Sequence, residues 1–165
     1  MKAKNFSILF LAGVLAVSAA LVMPVRADSA PKGAPNIYDE SADGSKQIAD
    51  ALATAKKDNK IVLVQFGANW CGWCHKLHKL FDTDPKIAEE LKNNYVVVMV
   101  DVNKDHNKDV NAKYGNPMQH GLPVIVLLDA NGKQLTTKDT GELESGDHHD
   151  PEKVLTFLKT WSAKR

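Results

Sequence analysis

The sequence predicts an α/β fold, a mixed central sheet of about four strands flanked by helices. Three observations carry that expectation. Compact apolar, β-branched runs recur at residues 60–66, 95–102 and 123–128, and such runs suit strands buried on both faces. Segments with helical spacing of apolar residues lie between them, the alternation of a parallel strand pair joined by right-handed crossovers. Asn131-Gly132 then marks a hairpin turn into Gln134-Leu135-Thr136, which adds an antiparallel edge.

The N-terminus is set apart from this pattern. Residues 1–5 carry Lys2 and Lys4, residues 6–23 are almost wholly apolar, and Val25-Arg26-Ala27 is a small-x-small site. That is the order of a secretory signal peptide over residues 1–27. The apolar run exceeds the usual core of about 7–15 residues, so an uncleaved membrane anchor is the alternative. Both readings place the remainder outside the cytoplasm, in the periplasm or an equivalent exported compartment. Cleavage would remove Lys2, Lys4 and Arg26 and no acid, leaving 18 basic and 20 acidic residues. Such a balance offers no footprint for nucleic acid or an anionic membrane surface. The remaining 138 residues suit one domain, expected to be monomeric.

Residues 28–44 contain Pro31, Gly33, Pro35 and Gly44 among small polar residues and read as a flexible tether, with the domain proper at 45–165. Ile48, Ala51, Leu52 and Ala55 give the first helix its apolar face. After the 60–66 strand, residues 71–81 read as a helix with Leu77, Leu80 and Phe81 inward. Asp84-Pro85 is an N-cap with proline at the first helical position, opening a segment through Leu91. Asp105 is expected to cap a short helix ending near Tyr114-Gly115, followed by an irregular loop over 116–122. Residues 141–146 and the pair His148-His149 read as solvated loop. Asp150-Pro151 opens the last helix, with Val154, Leu155, Leu158 and Trp161 inward.

Chemistry concentrates in Trp70-Cys71-Gly72-Trp73-Cys74-His75, which holds both cysteines. Export permits a disulfide to persist, but two cysteines so close cannot staple a fold. Three readings compete. In the first, Cys71 sits at a helix N-terminus, where unpaired N–H groups and the helix dipole favour the thiolate. Cys71 then attacks a substrate disulfide, and Cys74, one turn on, resolves the intermediate. In the second, Cys71-x-x-Cys74-His75 is the C-x-x-C-H pattern of c-type haem attachment, with Met118 or His120 as an axial ligand. The placement after a buried strand weighs against it. In the third, Cys71, Cys74, His75 and His78, joined by His148-His149, bind zinc or copper, although one helix face surrounds a tetrahedral ion poorly. No metal or organic cofactor is expected.

The segment Phe66-Gly67-Ala68-Asn69-Trp70-Cys71-Gly72-Trp73-Cys74 resembles the active-site segment of the thioredoxin superfamily, and Gly121-Leu122-Pro123 before Val124-Ile125-Val126 is similar to its cis-proline segment. The resemblance runs from about Ser45 to Trp161 and implies a thioredoxin fold and a thiol–disulfide oxidoreductase. It implies that Cys71 is the nucleophile, Cys74 the resolving thiol and Pro123 a cis proline against the pair. It further implies that Leu122 offers backbone groups to a bound peptide. Trp70 beside the reactive cysteine, with Gly72 and an exposed Trp73 between the two cysteines, is expected to frame the substrate surface. Partners would be protein thiols or disulfides and an upstream redox protein. A thioredoxin-fold binding module without catalysis is the other reading. The sequence departs from the family at two places. Gln65 stands six positions before Cys71, where many members carry a buried acid that relays a proton, and Met99 or a neighbour replaces a lysine on the next strand. His75 is the candidate for a substitute proton relay.

Overall fold

In the computed structural model of the chain, residues 29–30 and 32–162 are described; the signal reading of residues 1–27 lies outside them. The elements are α1 (Gly44–Asp58), β1 (Ile61–Gly67), α2 (Gly72–Thr83), α3 (Pro85–Asn94), β2 (Tyr95–Asp101), α4 (Lys108–Lys113), β3 (Val124–Leu128), β4 (Gln134–Asp139), β5 (Glu144–Ser145), β6 (His148–His149) and α5 (Pro151–Ser162). The sheet order is β2-β1-β3-β4. β1 runs parallel to β2 and antiparallel to β3, which pairs antiparallel with β4. The expected mixed four-stranded sheet is therefore present.

Strand alternation divides the core between the two faces of this sheet. Val62, Val64 and Phe66 of β1 pack with Ile48, Ala51 and Ala55 of α1 and with Val110 and Tyr114 around α4. Ile61 and Leu63 face the other way, onto Leu77 and Phe81 of α2, Ile87 and Leu91 of α3, and Leu155 and Leu158 of α5. Trp161 packs against that second cluster but is only partly buried. β1 and β3 are buried throughout because both faces are covered.

The caps explain where the helices begin. Asp84 Oδ1 accepts from the N–H groups of Lys86 and Ile87, and Asp150 Oδ1 from those of Glu152 and Lys153. Asp105 does not cap α4. It lies at φ 63° in a 3₁₀ turn, and α4 starts after Asn107, itself left-handed. Asn107 spends its side chain elsewhere: Oδ1 accepts the Gly44 N–H at 2.9 Å, and Nδ2 donates to the Asp101 carbonyl at 2.9 Å. At the hairpin, Asp129 Oδ1 accepts from Asn131 and Lys133, and Gly132 takes the left-handed φ of 83°.

Two regions read as loose are packed. Within the expected tether the chain at Tyr38 is packed, with that residue 2% exposed. Asn69 is the reason: its Oδ1 accepts from both the Ile37 and Tyr38 N–H groups at 2.9 Å, and its Nδ2 returns a bond to the Tyr38 carbonyl. An amide with one acceptor and two donors can thus fix an extended chain without a sheet. The second region is 140–149. It forms a 3₁₀ turn (Thr140–Leu143) and the β5–β6 ribbon, whose Glu144 pairs with His149.

Candidate active site

The cysteine pair sits where β1 gives way to α2. Cys71 is the N-cap of α2, with φ −82° and ψ 107°, and its Sγ accepts the Cys74 N–H at 3.1 Å. An ordinary N-cap oxygen makes the same contact, so the sulfur stands in for that acceptor. The two cysteines are joined as a disulfide with Cα atoms 5.3 Å apart. Cys74 is fully buried and Cys71 nearly so.

Tyr38, Cys71 and Cys74 form a small cluster against which Ile37, Trp73, Met99 and Leu122 pack. Gln65, buried in the middle of β1, donates from Nε2 to the Tyr38 hydroxyl at 2.7 Å. Burial drives the Tyr38 phenol well above its ordinary pKa, and the bond from Gln65 opposes only part of that. Gly67 makes the arrangement fit. A β-carbon there would stand 2.1 Å from the Tyr38 hydroxyl oxygen and 2.7 Å from Cys74 Sγ.

In front of the pair, Trp70 is 54% exposed, and its Nε1 donates to Asn103 Oδ1 at 3.0 Å. The main chain beside it is engaged: Ala30 donates to the Trp70 carbonyl at 2.9 Å, and Ser29 forms an antiparallel bridge to Cys71. Gly72 is buried as the first residue of α2. Trp73, expected to be exposed, is half-buried between two side chains. Lys76 Nζ lies 4.2 Å from its ring centroid, and His149 meets it edge-on at 5.3 Å.

His149 corrects the solvated-loop reading of its pair. His148 is exposed, but His149 is 3% exposed and donates from Nε2 to the Trp73 carbonyl at 3.3 Å. Its Nδ1 is buried with no partner among the described residues. Burial pushes its pKa down to about 4, so the ring is neutral near pH 7. His75 is also placed. Its Nε2 donates to the Asn69 carbonyl at 2.8 Å, which ties α2 to the turn before Cys71. His78 lies on the outer side of α2 near Asp82. The Leu122–Pro123 peptide bond is cis, Pro123 is buried, and its carbonyl accepts the Thr140 hydroxyl.

A strand running into a helix capped by a paired cysteine, beside a cis proline, is the frame on which comparison with known proteins bears. A thioredoxin-like family model matches residues 43–130. The chain belongs to the thioredoxin-like family. Its crystallographic relatives include the disulphide isomerase of Xylella fastidiosa Temecula1, 34% identical, with a TM-score of 0.69 over 76% of this chain and 96% of that one. Among curated proteins, the thiol:disulfide interchange protein DsbD of Vibrio vulnificus (strain CMCP6) is 31% identical over 91 residues, 55% of this chain and 15% of its own length. A protein disulfide-isomerase of Medicago sativa is 35% identical over 109 residues, 66% of this chain and 19% of its own length. The chain thus spans only a small part of these longer relatives.

The parts played by Tyr38 and Asn69 are not foreseen from the sequence, and His149 is foreseen only as a solvated loop residue or a metal ligand. The one available signal was Gln65 itself, because a polar side chain inside an apolar strand needs a buried partner.

Proposed function

We propose that this chain is an exported thiol–disulfide oxidoreductase that exchanges disulfides with protein substrates through Cys71 and Cys74. The observation that carries the reading is the position of Cys71 at the N-cap of α2, disulfide-bonded to a buried Cys74. In the reduced protein the first-turn N–H groups and the helix dipole favour a thiolate on Cys71. That thiolate attacks one sulfur of a substrate disulfide, and the other substrate sulfur leaves as a thiolate. Cys74 then attacks Cys71 Sγ, which closes the Cys71–Cys74 disulfide and releases the substrate reduced by two electrons. The reverse sequence oxidises a substrate dithiol. Trp70, Gly72, Trp73, Leu122 and Pro123 frame the substrate surface, with the Leu122 backbone available to an extended peptide. A second protein in the same compartment resets the pair. Export is supported by the charged, apolar, small-residue order of residues 1–27.

Reduction of insulin disulfides by the wild-type and Cys71→Ser proteins tests the reading. Loss of turnover in the variant is expected, and retained turnover would overturn it. The mass of the mature N-terminus tests export. A redox titration of the pair against glutathione sets the direction of flow, since about 30 mV corresponds to a tenfold change in equilibrium for a two-electron couple.

A further inference from the structure

The buried resolving cysteine poses a problem that the family's usual acid would answer and Gln65 does not. To attack the mixed disulfide, Cys74 must become a thiolate in a site without solvent, where burial disfavours charge. The sequence supplies no carboxylate at position 65. The structure supplies a hydroxyl instead. Tyr38 OH and Cys74 Sγ both press on the bare face of Gly67, where no β-carbon fits: they lie 2.1 and 2.7 Å from the point a β-carbon would occupy, so they are at most 4.8 Å apart. Gln65 Nε2 occupies a lone pair of the phenol oxygen, so the phenol proton is available to a partner. Asn69 clamps the Tyr38 main chain from both sides of its peptide, which fixes where that hydroxyl points.

We propose that Tyr38 is the hydrogen-bond donor to the Cys74 thiolate when the mixed disulfide resolves, with Gln65 holding the hydroxyl in place. The inference rests on the thiol–disulfide reading above. In the resolving step the Cys74 sulfur gives up its proton and attacks Cys71 Sγ, the bond between Cys71 and the substrate sulfur breaks, and the substrate sulfur departs with the electron pair and takes up the proton that Cys74 released. Tyr38 keeps its own proton throughout. The phenol, held far from ionisation by burial, is a stable donor and never a competing base. Tyr38 and Gln65 thus do by neutral dipoles what a buried acid does by charge. His75, bonded through Nε2 to the Asn69 carbonyl, holds the loop. Asp101 and His106 are further titratable groups on this side: Asp101 pairs with Gly67 across β1 and β2, its charge reaches Tyr38, and its Oδ2 lies 3.0 Å from His106 Nδ1.

The two chemical steps separate when the reduced full-length protein reacts with 5,5′-dithiobis(2-nitrobenzoate). Attack by Cys71 releases one thionitrobenzoate, and displacement by Cys74 releases the second. Tyr38→Phe is expected to leave the first release unchanged, slow the second about tenfold near pH 7, and move its pH midpoint upward by about one unit. Asp101→Asn run in parallel separates an effect of that carboxylate on the midpoint from that of the hydroxyl. A second release in Tyr38→Phe within twofold of wild type, with the circular dichroism spectrum unchanged, would overturn the proposal. Should Tyr38→Phe fail to fold, Gln65→Met carries the same test, with a slowing of about threefold expected and none overturning it. Absence of any fast first release in the wild type would instead sink the thiol–disulfide reading.

Discussion

Behind the cysteine pair, Tyr38, Gln65 and Gly67 close around Cys74 with no exposed surface; in front of it, Trp70 stands in solvent and Trp73 lies half-buried between Lys76 and His149. The rear is made of short, uncharged contacts in which one hydrogen bond and one missing β-carbon decide the fit. The front is made of long side chains from separate elements, one of them charged and one titratable. The difference assigns tasks. On the proposal above, sulfur chemistry is governed from the rear, where dielectric is low and each donor is worth more. Partner contact and the acid dependence of stability are governed from the front.

The cysteines themselves give the largest effect. In the proposed mechanism Cys74→Ser leaves Cys71 without a resolving thiol, and the variant is expected to accumulate mixed disulfides through Cys71, seen by mass spectrometry after acid quenching. Cys71→Ser, which leaves only the buried thiol, is expected to trap none. Equal alkylation rates for the two thiols in the reduced wild type would erase the distinction between rear and front.

The next effect belongs to the front. His149 is held neutral, with its pKa pushed down from the ordinary 6.5 to about 4. In the unfolded chain it takes a proton near its ordinary value, so between those two pH values the unfolded state binds more protons. Stability is therefore complete above about pH 6.5 and falls as pH drops toward 4, by about 3 kcal/mol from this group. His149→Phe should flatten the pH dependence of thermal unfolding by that amount across the window. A slope matching the wild type would show that the ring is not buried as a neutral group.

Gly67→Ala tests the rear by sterics alone. The added methyl would meet the Tyr38 hydroxyl at 2.1 Å and Cys74 Sγ at 2.7 Å, so the ring or α2 must shift. Overpacking of this kind costs about 1–3 kcal/mol, which lowers the melting temperature by several degrees for a domain of this size. An unchanged melting temperature would mean that Tyr38 is not seated against Gly67.

The strands were legible because burial on both faces leaves a compositional mark, and the caps at Asp84-Pro85 and Asp150-Pro151 because capping is local. Cys71 was legible for the same reason. What lay hidden is non-local. Gln65 meets Tyr38 across 27 positions and His149 meets the Trp73 carbonyl across 76, distances at which no periodicity operates. Pro31, Gly33 and Pro35 made the segment before Tyr38 look loose, yet one asparagine, Asn69, is enough to fix the chain beside it. The Asp105 cap failed on a competing local choice: Asn107 turns its amide toward Gly44 and Asp101, and the chain enters α4 through a left-handed residue.

Lys76 gives the smallest effect and the finest test of the front. Its ammonium lies over the Trp73 ring, an exposed-type contact worth about 0.5–1 kcal/mol, and its charge is one cause of the low His149 pKa. Lys76→Met keeps the aliphatic stem against the ring and removes only the charge. Unfolding free energy should fall by about 1 kcal/mol or less, and the His149 midpoint, followed by NMR, should move upward by a fraction of a unit because a like charge has gone. The release of the second thionitrobenzoate should not change, since Tyr38 and Gln65 are untouched. A slowed second release would mean that the charge at the front reaches Cys74, and the division between the two sides of the pair would fail.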